Sequence, residues 1–382
     1  MSHRPSAQPL PSSVQAPSSS AQAPSSSAQA PSSSGAVAPV ATDAIAYRLV
    51  RGAGIGALQA VRRPRRAPGP GELRIGIRAV ALNHRDLMFA DGRSGQGGPA
   101  IVPASDAAGV VLEAGPGVTL FRPGDRVISS FFPDWLAGPV TTAATARALG
   151  GSVDGVLAEE VVSPETAWVP APAHLDPVEA ATLPCAGLTA WHALFELDPL
   201  PPGATVALLG TGGVSVWALQ LAKAAGLRVI LTSSDDGKLE RARTLGADFT
   251  VNYRRVPAWG AVLRELAGGE GVDRVLDVGG PVTLAQSVTA LRPGGSVAVV
   301  GRLGGGEPAA LDPAALFLGG KRLLGLMVGS RAMALRFSRF VETAGLRPVI
   351  DRVFPFDRAG DAYRSLAASR HLGKVVIAAG EG

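Results

Sequence analysis

Cysteine is almost absent: Cys185 is the only one in 382 residues. No internal disulfide can form, which excludes a secreted disulfide scaffold and fits a reducing compartment. No apolar run is long enough to span a bilayer. The opening MSHRPSAQPL also lacks the apolar stretch of a secretory signal, so a cytoplasmic protein is the default expectation. Aromatic residues make up only 5%. Acidic residues number 31 against 36 lysines and arginines, a net charge of +5. The basic residues are spread along the chain rather than gathered into a tail, so neither nucleic acid nor membrane is an expected partner. The densest group, Arg62, Arg63, Arg65 and Arg66 around Pro64, reads as a solvated loop, the alternatives being a phosphate-binding patch or an aid to steering an anionic cofactor. What is plentiful is apolar residues at 46%, ample for a large core in two or three domains.

Residues 1–42 form a compositional class of their own. QAPSSSA starts at Gln15 and again at Gln22, and QAPSSSG starts at Gln29. These units carry proline and no large apolar residue, so a disordered Ser/Pro/Ala tail is expected there. Next, Ala44–Val50, Glu72–Asn83, Val110–Ala114 and Arg126–Ser129 read as strands. Gly115-Pro116-Gly117 and Pro123-Gly124-Asp125 punctuate them, as in a compact β-rich domain. After Gly203 the rhythm changes. Thr205–Leu209, Arg228–Leu231, Phe249–Asn252, Arg274–Val278 and Ser296–Val300 are short apolar runs separated by helical stretches, which indicates a parallel, doubly wound sheet. Helices at Ala332–Ala344 and Asp357–Ser369 and a strand at Lys374–Ala378 are expected to return to the first domain.

Gly210-Thr211-Gly212-Gly213-Val214-Ser215 follows one of these strands and opens a helix. That context marks a dinucleotide-binding turn. Gly210 permits the tight turn, while Gly212, Gly213 and Val214 bring backbone close to a pyrophosphate at a helix N-terminus. Ser215 replaces the third glycine of the usual fingerprint. NAD-selective turns end the next strand in a carboxylate that holds the ribose 2′-OH. Here that strand runs into Thr232-Ser233-Ser234, with Lys238 one helical turn on. NADPH is therefore the expected cofactor, with NAD less favoured. Asp235 and Asp236 argue the other way unless they face solvent, and Lys238 is alternatively a solvated helix lysine.

Four further segments precede this turn in order: Leu82-Asn83-His84-Arg85-Asp86, Asp106-Ala107-Ala108-Gly109-Val110-Val111, Pro123-Gly124-Asp125-Arg126-Val127 and Pro184-Cys185-Ala186-Gly187-Leu188-Thr189-Ala190-Trp191. With the glycine turn they resemble the medium-chain dehydrogenase/reductase superfamily over about residues 43–382. The resemblance implies an α/β chain. A GroES-like catalytic domain would occupy 43–169 and be completed by 331–382, with a doubly wound Rossmann domain at 170–330. Zinc members of that family hold a catalytic metal with two cysteines and a histidine. The matching positions here are Asn83, Ser105 and Cys185, and a four-cysteine structural zinc lobe is impossible, so no metal is expected. Cys185 is then a small buried residue rather than a chemical one.

Zinc-free relatives resemble quinone oxidoreductases and enoyl reductases, which pass hydride from NADPH to a conjugated acceptor. The resemblance places Asn83 and Thr189 beside the nicotinamide as catalytic residues. It puts Ser233, Lys238 and Tyr253 around the 2′-phosphate, with Arg370 as a further candidate. Tyr253 is alternatively an amphipathic strand residue, and Arg370 a surface charge. Asp86 is expected to order its own loop. His84 and His192 should lie near the cleft. Phe131, Phe132, Trp135 and Leu136 either shape a small-molecule substrate pocket or pack elsewhere, and Gly95–Gly98 reads as an open stretch near it. Two other functions remain in view: a metal-free NAD(P)-dependent alcohol dehydrogenase and a non-catalytic cofactor-binding protein. A homodimer through the cofactor domains is expected from the family alone.

Overall fold

The computed structural model describes residues 43–307 and 311–379, so the Ser/Pro/Ala tail expected at 1–42 lies outside the described residues. β1 (Asp43–Arg48) pairs antiparallel with β2 (Gln59–Pro64). β3 (Glu72–Ala81) is the hub of a seven-stranded sheet. It pairs antiparallel with β4 (Asp106–Ala114) and β6 (Glu160–Pro164), and β4 continues through β5 (Arg126–Ser129) to β7 (Trp168–Pro170). Leu73, Ile75 and Ile77 alternate into the core beneath this sheet. From Ala79 onward β3 is buried on both faces, because Ala79 and Ala81 pack into a second core shared with the helices that follow. That double burial sets Leu82 and Asn83 at the junction of the two cores.

The second sheet is parallel and six-stranded: β8 (Thr205–Leu209), β9 (Arg228–Ser233), β10 (Phe249–Asn252), β11 (Val272–Asp277), β12 (Leu291–Val299) and β13 (Arg322–Gly325), in the order β10-β9-β8-β11-β12-β13. Every residue of β8 is buried, as expected of a strand covered by helices on both faces. The helix Gly213–Ala224 supplies one cover through Val216, Trp217, Leu219 and Leu221. The chain winds one way from β8 to β10 and the other from β11 to β13. The crevice at the carboxyl ends of β8 and β11 is therefore the topological switch point, where such sheets bind ligands.

β9 runs two residues further than the apolar run alone indicates, because Thr232 and Ser233 pair with Val251 and Asn252 of β10. Ser233 is thereby fixed at a strand end rather than left in a loop. β13 and the next strand, β14 (Ile350–Pro355), escape a reading by apolar runs, since both mix exposed and half-buried positions. β15 (Lys374–Ala378) pairs parallel with β14 and antiparallel with β3, so the end of the chain rejoins the first sheet. Gly373, just before β15, donates its N–H to Thr211 O at 3.0 Å, which ties the returning strand to the glycine turn.

Candidate cofactor cleft

β8 ends at Leu209, and Gly210 turns the chain with φ 77°, a left-handed conformation that glycine adopts without strain. Gly212 then caps the helix that starts at Gly213. A Cβ on Gly212 would meet nothing within 4 Å, so its missing side chain leaves an open cradle at the N–H groups of the helix end. Such an end favours an anion. Ser215, in place of the third glycine, is 1% exposed and donates from Oγ to Leu209 O at 2.7 Å. The hydroxyl stitches helix to strand, so the departure from the fingerprint keeps their packing close.

These residues form one wall of a cleft of about 550 Å³. Gly210, Gly212, Gly213, Val214, Ser233, Lys238, Tyr253 and Asn83 all border it. Around the end of β9, Ser233 Oγ accepts from Asp235 N–H at 3.3 Å, and Tyr253 N–H donates to Ser233 O at 3.1 Å. Lys238 Nζ lies 3.3 Å from Ser369 O. Both nearby carboxylates are engaged elsewhere. Asp235 accepts from Lys238 N–H at 2.9 Å as a helix cap, and Asp236 accepts from Asn252 Nδ2 at 2.8 Å and pairs with Arg255. Both are exposed, and neither borders the cleft.

Arg370 is exposed and borders a neighbouring depression with Arg352, Arg358 and Arg364 rather than the cleft itself. His371 borders both. Thr189 is 4% exposed within the helix Leu188–Trp191 and is not part of the cleft lining. Phe131, Phe132 and Trp135 pack together in a small cluster with Cys185, whereas Leu136 is exposed. His84 borders the cleft. His192 Nδ1 instead sits 3.1 Å from Met327 O and 3.2 Å from Val328 O.

Another part of the wall is backed by a buried polar cluster. Asn83 precedes the helix His84–Ala90, and its N–H donates to Asp86 Oδ2 at 2.8 Å. Burial pushes the Asp86 carboxyl up to about 6 against the opposing pull of Arg85. Asp106 Oδ1 accepts from Ser105 Oγ at 2.6 Å, and its Oδ2 accepts from Cys185 N–H at 3.1 Å. Burial raises the Asp106 carboxyl too, and burial with the nearby Asp106 charge raises the Cys185 thiol far above its usual range. Lys374 Nζ donates to Leu82 O and to Asn83 Oδ1, each at 2.6 Å, and stands 4.0 Å from Asp106 Oδ2. Among the described residues no three His, Cys, Asp or Glu side chains converge as a metal site would require.

Two cleft features escaped the sequence reading. Lys374 carried a signal, since a lysine heading an apolar strand must be paired to be buried. Asp277 carried a weaker one, an acid followed by Val278-Gly279-Gly280. Its Oδ1 accepts from the N–H groups of Gly279 and Gly280 and from Thr283 Oγ1, and its Oδ2 accepts from Ser287 Oγ. These bonds shape the loop that forms another wall.

No helix among the described residues is long and apolar enough to cross a membrane. Residues 69–173 match the alcohol dehydrogenase GroES-like domain, and residues 213–343 match the zinc-binding dehydrogenase family. A zinc-type alcohol dehydrogenase-like protein of Schizosaccharomyces pombe is 40% identical over 318 residues, covering 81% of this chain and 91% of its own. The crystal structure of an NAD-dependent alcohol dehydrogenase superposes with a TM-score of 0.80 at 35% identity, covering 88% of this chain and 100% of that one. A 2-octenoyl-CoA carboxylase reductase in complex with NADP and 2-octenoyl-CoA superposes with a TM-score of 0.79 at 26% identity, covering 89% and 88%. The chain belongs to the medium-chain dehydrogenase/reductase superfamily and is an oxidoreductase that uses a nicotinamide cofactor.

Proposed function

We propose that this oxidoreductase carries hydride from NADPH to a quinone or an α,β-unsaturated carbonyl compound, without zinc. The observation that carries the reading is the cluster behind Asn83. At the positions where zinc members place metal ligands, Asn83 Oδ1 is held by Lys374, Ser105 Oγ is spent on Asp106, and Cys185 is a strongly protonated thiol. A carboxamide, a hydroxyl and one neutral thiol do not make a zinc site. Without a Lewis acid, an alkoxide has no strong stabiliser, whereas a conjugated carbonyl needs only a hydrogen-bond donor at its oxygen. Asn83, which borders the cleft, would supply that donor by turning its buried Nδ2 from Asp106 toward the acceptor.

The open cradle at Gly212 fits a pyrophosphate. Ser233 and Lys238 offer a hydroxyl and a cation to a 2′-phosphate, with Tyr253 beside them. When bound, NADPH supplies the hydride. The chain's residues hold the cofactor, shape the cleft and polarise the acceptor, whose second hydrogen comes as a proton. Arg370 would join the phosphate site by swinging from the neighbouring depression, and Thr189 would support the nicotinamide side from within its helix. The name of the reductase bound to NADP and an unsaturated thioester supports the acceptor class, and that of the NAD-dependent alcohol dehydrogenase supports the alternative.

A homodimer is proposed through β13, an edge strand beside the exposed Phe317 and Leu318, and sedimentation velocity tests it. The function is tested by following nicotinamide absorbance with 1,4-benzoquinone, an enone and simple alcohols, each with both cofactors. NADPH-linked reduction of quinone or enone supports the reading. NAD-linked alcohol oxidation with no quinone or enone turnover overturns it.

A further inference from the structure

Beside the cleft lies a depression of about 880 Å³, walled by β14 and the helix Ala359–Ala367. Four arginines line it, Arg352, Arg358, Arg364 and Arg370, against two aspartates, Asp351 and Asp361. Asp361 is taken by Arg358 and Arg364. Arg352 and Arg370 are exposed and hold no carboxylate among the described residues. The Arg352 guanidinium lies 5.9 Å from the centre of the Phe354 ring, a contact that leaves its charge unneutralised.

The ridge between this depression and the cleft is three residues wide. Ser369 borders the cleft, Arg370 borders the depression, and His371 borders both. On the cleft side Lys238 Nζ reaches Ser369 O at 3.3 Å. The surplus arginine charge therefore stands one ridge away from the lysine at the phosphate end of the cleft. Exposed guanidiniums hold an anion weakly, since an ion pair in water contributes about 0–1 kcal/mol. Their field still reaches into solvent, and exposed charge beside a binding site acts on the association rate more than on the final affinity.

We propose that the arginine depression is a landing site for the phosphates of the incoming nicotinamide cofactor, outside its final seat. The field of Arg352 and its neighbours captures the anion, which then crosses the ridge at His371 into the cleft. The role rests on the proposed seat of the 2′-phosphate beside Lys238.

Stopped-flow binding of NADPH to the full chain tests this, followed by tryptophan fluorescence, to which Trp259 in the cleft wall contributes. At about 10 mM salt the screening length is about 30 Å, long enough for the depression to act on a cofactor still in solution. There Arg352→Gln should slow association roughly two- to fivefold and Arg352→Glu roughly tenfold, with the dissociation rate as in the wild type. The three proteins should converge as salt approaches about 1 M, where screening falls to about 3 Å. Arg122→Gln, which removes an exposed arginine bordering neither cavity, should match the wild type throughout. An unchanged association rate in Arg352→Glu overturns the proposal. So does a loss carried by faster dissociation, which would make Arg352 part of the final seat, or an equal loss in Arg122→Gln.

Should NADPH bind no more tightly than NADH, the phosphate seat beside Lys238 falls. The landing site is then read with NADH, whose pyrophosphate is also anionic. Arg352→Glu should still slow its association at low salt, and an unchanged rate with both cofactors overturns the landing site itself.

Discussion

A Cβ on Gly213 would lie 2.7 Å from Lys374 Cδ, so the glycine turn and the buried lysine share one packed space. The lysine stem cannot swing aside, because its Nζ is fixed by two hydrogen bonds of 2.6 Å. Gly213→Ala should therefore cost about 1–3 kcal/mol of stability by overpacking, and should weaken NADPH binding as well. Gly212→Ala is the contrasting variant. Its Cβ meets nothing within 4 Å, so the melting temperature should hold while NADPH affinity falls roughly tenfold or more, about 1.4 kcal/mol. Thermal melts beside fluorescence titrations separate the two. Equal effects on stability would remove the distinction.

Cofactor choice should reside at the end of β9. Ser233→Asp places a carboxylate against the proposed 2′-phosphate site, and Lys238→Ala removes the nearby cation. A hydrogen bond to a charged group contributes about 1.5–3 kcal/mol, so NADPH affinity should fall roughly 10- to 100-fold in either variant. NADH affinity should hold in Lys238→Ala and rise in Ser233→Asp. Parallel titrations with the two cofactors check this, and equal losses for both would show that these side chains do not read the phosphate.

Asp86 should leave a signature in the pH dependence of stability. Burial raises its carboxyl from 3.8 in the unfolded chain to about 6, so the native state holds the proton more tightly. Its contribution to stability is then full below about pH 4 and is lost as pH rises through about 6, up to about 3 kcal/mol in all. In Asp86→Asn the amide oxygen still accepts the Asn83 N–H, while the titration is gone. Denaturant unfolding from pH 4 to 7 should show the variant gaining on the wild type as pH rises. Parallel curves would place the raised titration elsewhere in the cluster.

Much of this site is legible from residue order, and the parts that are not share a cause. Thr205–Leu209 and Phe249–Asn252 are apolar runs bounded by turn residues, and the structure gives them the same limits. The glycine turn announces itself because its chemistry is local, with a left-handed Gly210 after a buried strand. Arg322–Gly325 and Ile350–Pro355 were missed because edge strands are half exposed and lose the apolar pattern. The Lys374–Asn83 contact spans 291 residues of sequence, so no local spacing encodes it. Arg370 and Thr189 lie outside the cleft lining, a placement that depends on how neighbouring elements pack and that residue order does not give.

Arg274 offers a test of the cofactor-domain core apart from the cleft. It lies fully buried in β11, donating to Ser296 Oγ at 3.0 Å, Ala193 O at 2.6 Å and Asp198 Oδ2 at 2.9 Å. Burial lowers its pKa against the pull of Asp198. Arg274→Met would keep the volume and strand the buried Ala193 carbonyl and Ser296 hydroxyl, on the order of 3 kcal/mol. The melting temperature should drop by several degrees while the ratio of NADPH to NADH affinity stays as in the wild type. A changed ratio would tie this arginine to cofactor choice.

Zinc-free, NADPH-linked reduction is tested most directly by metal analysis joined to turnover on the same sample. Purified protein would be assayed for zinc, dialysed against a strong chelator, assayed again, and mixed with NADPH and 1,4-benzoquinone. The expected result is zinc far below one per chain and an NADPH oxidation rate unchanged by chelation. Zinc near one per chain, with turnover lost on chelation and restored by adding the metal, would contradict it.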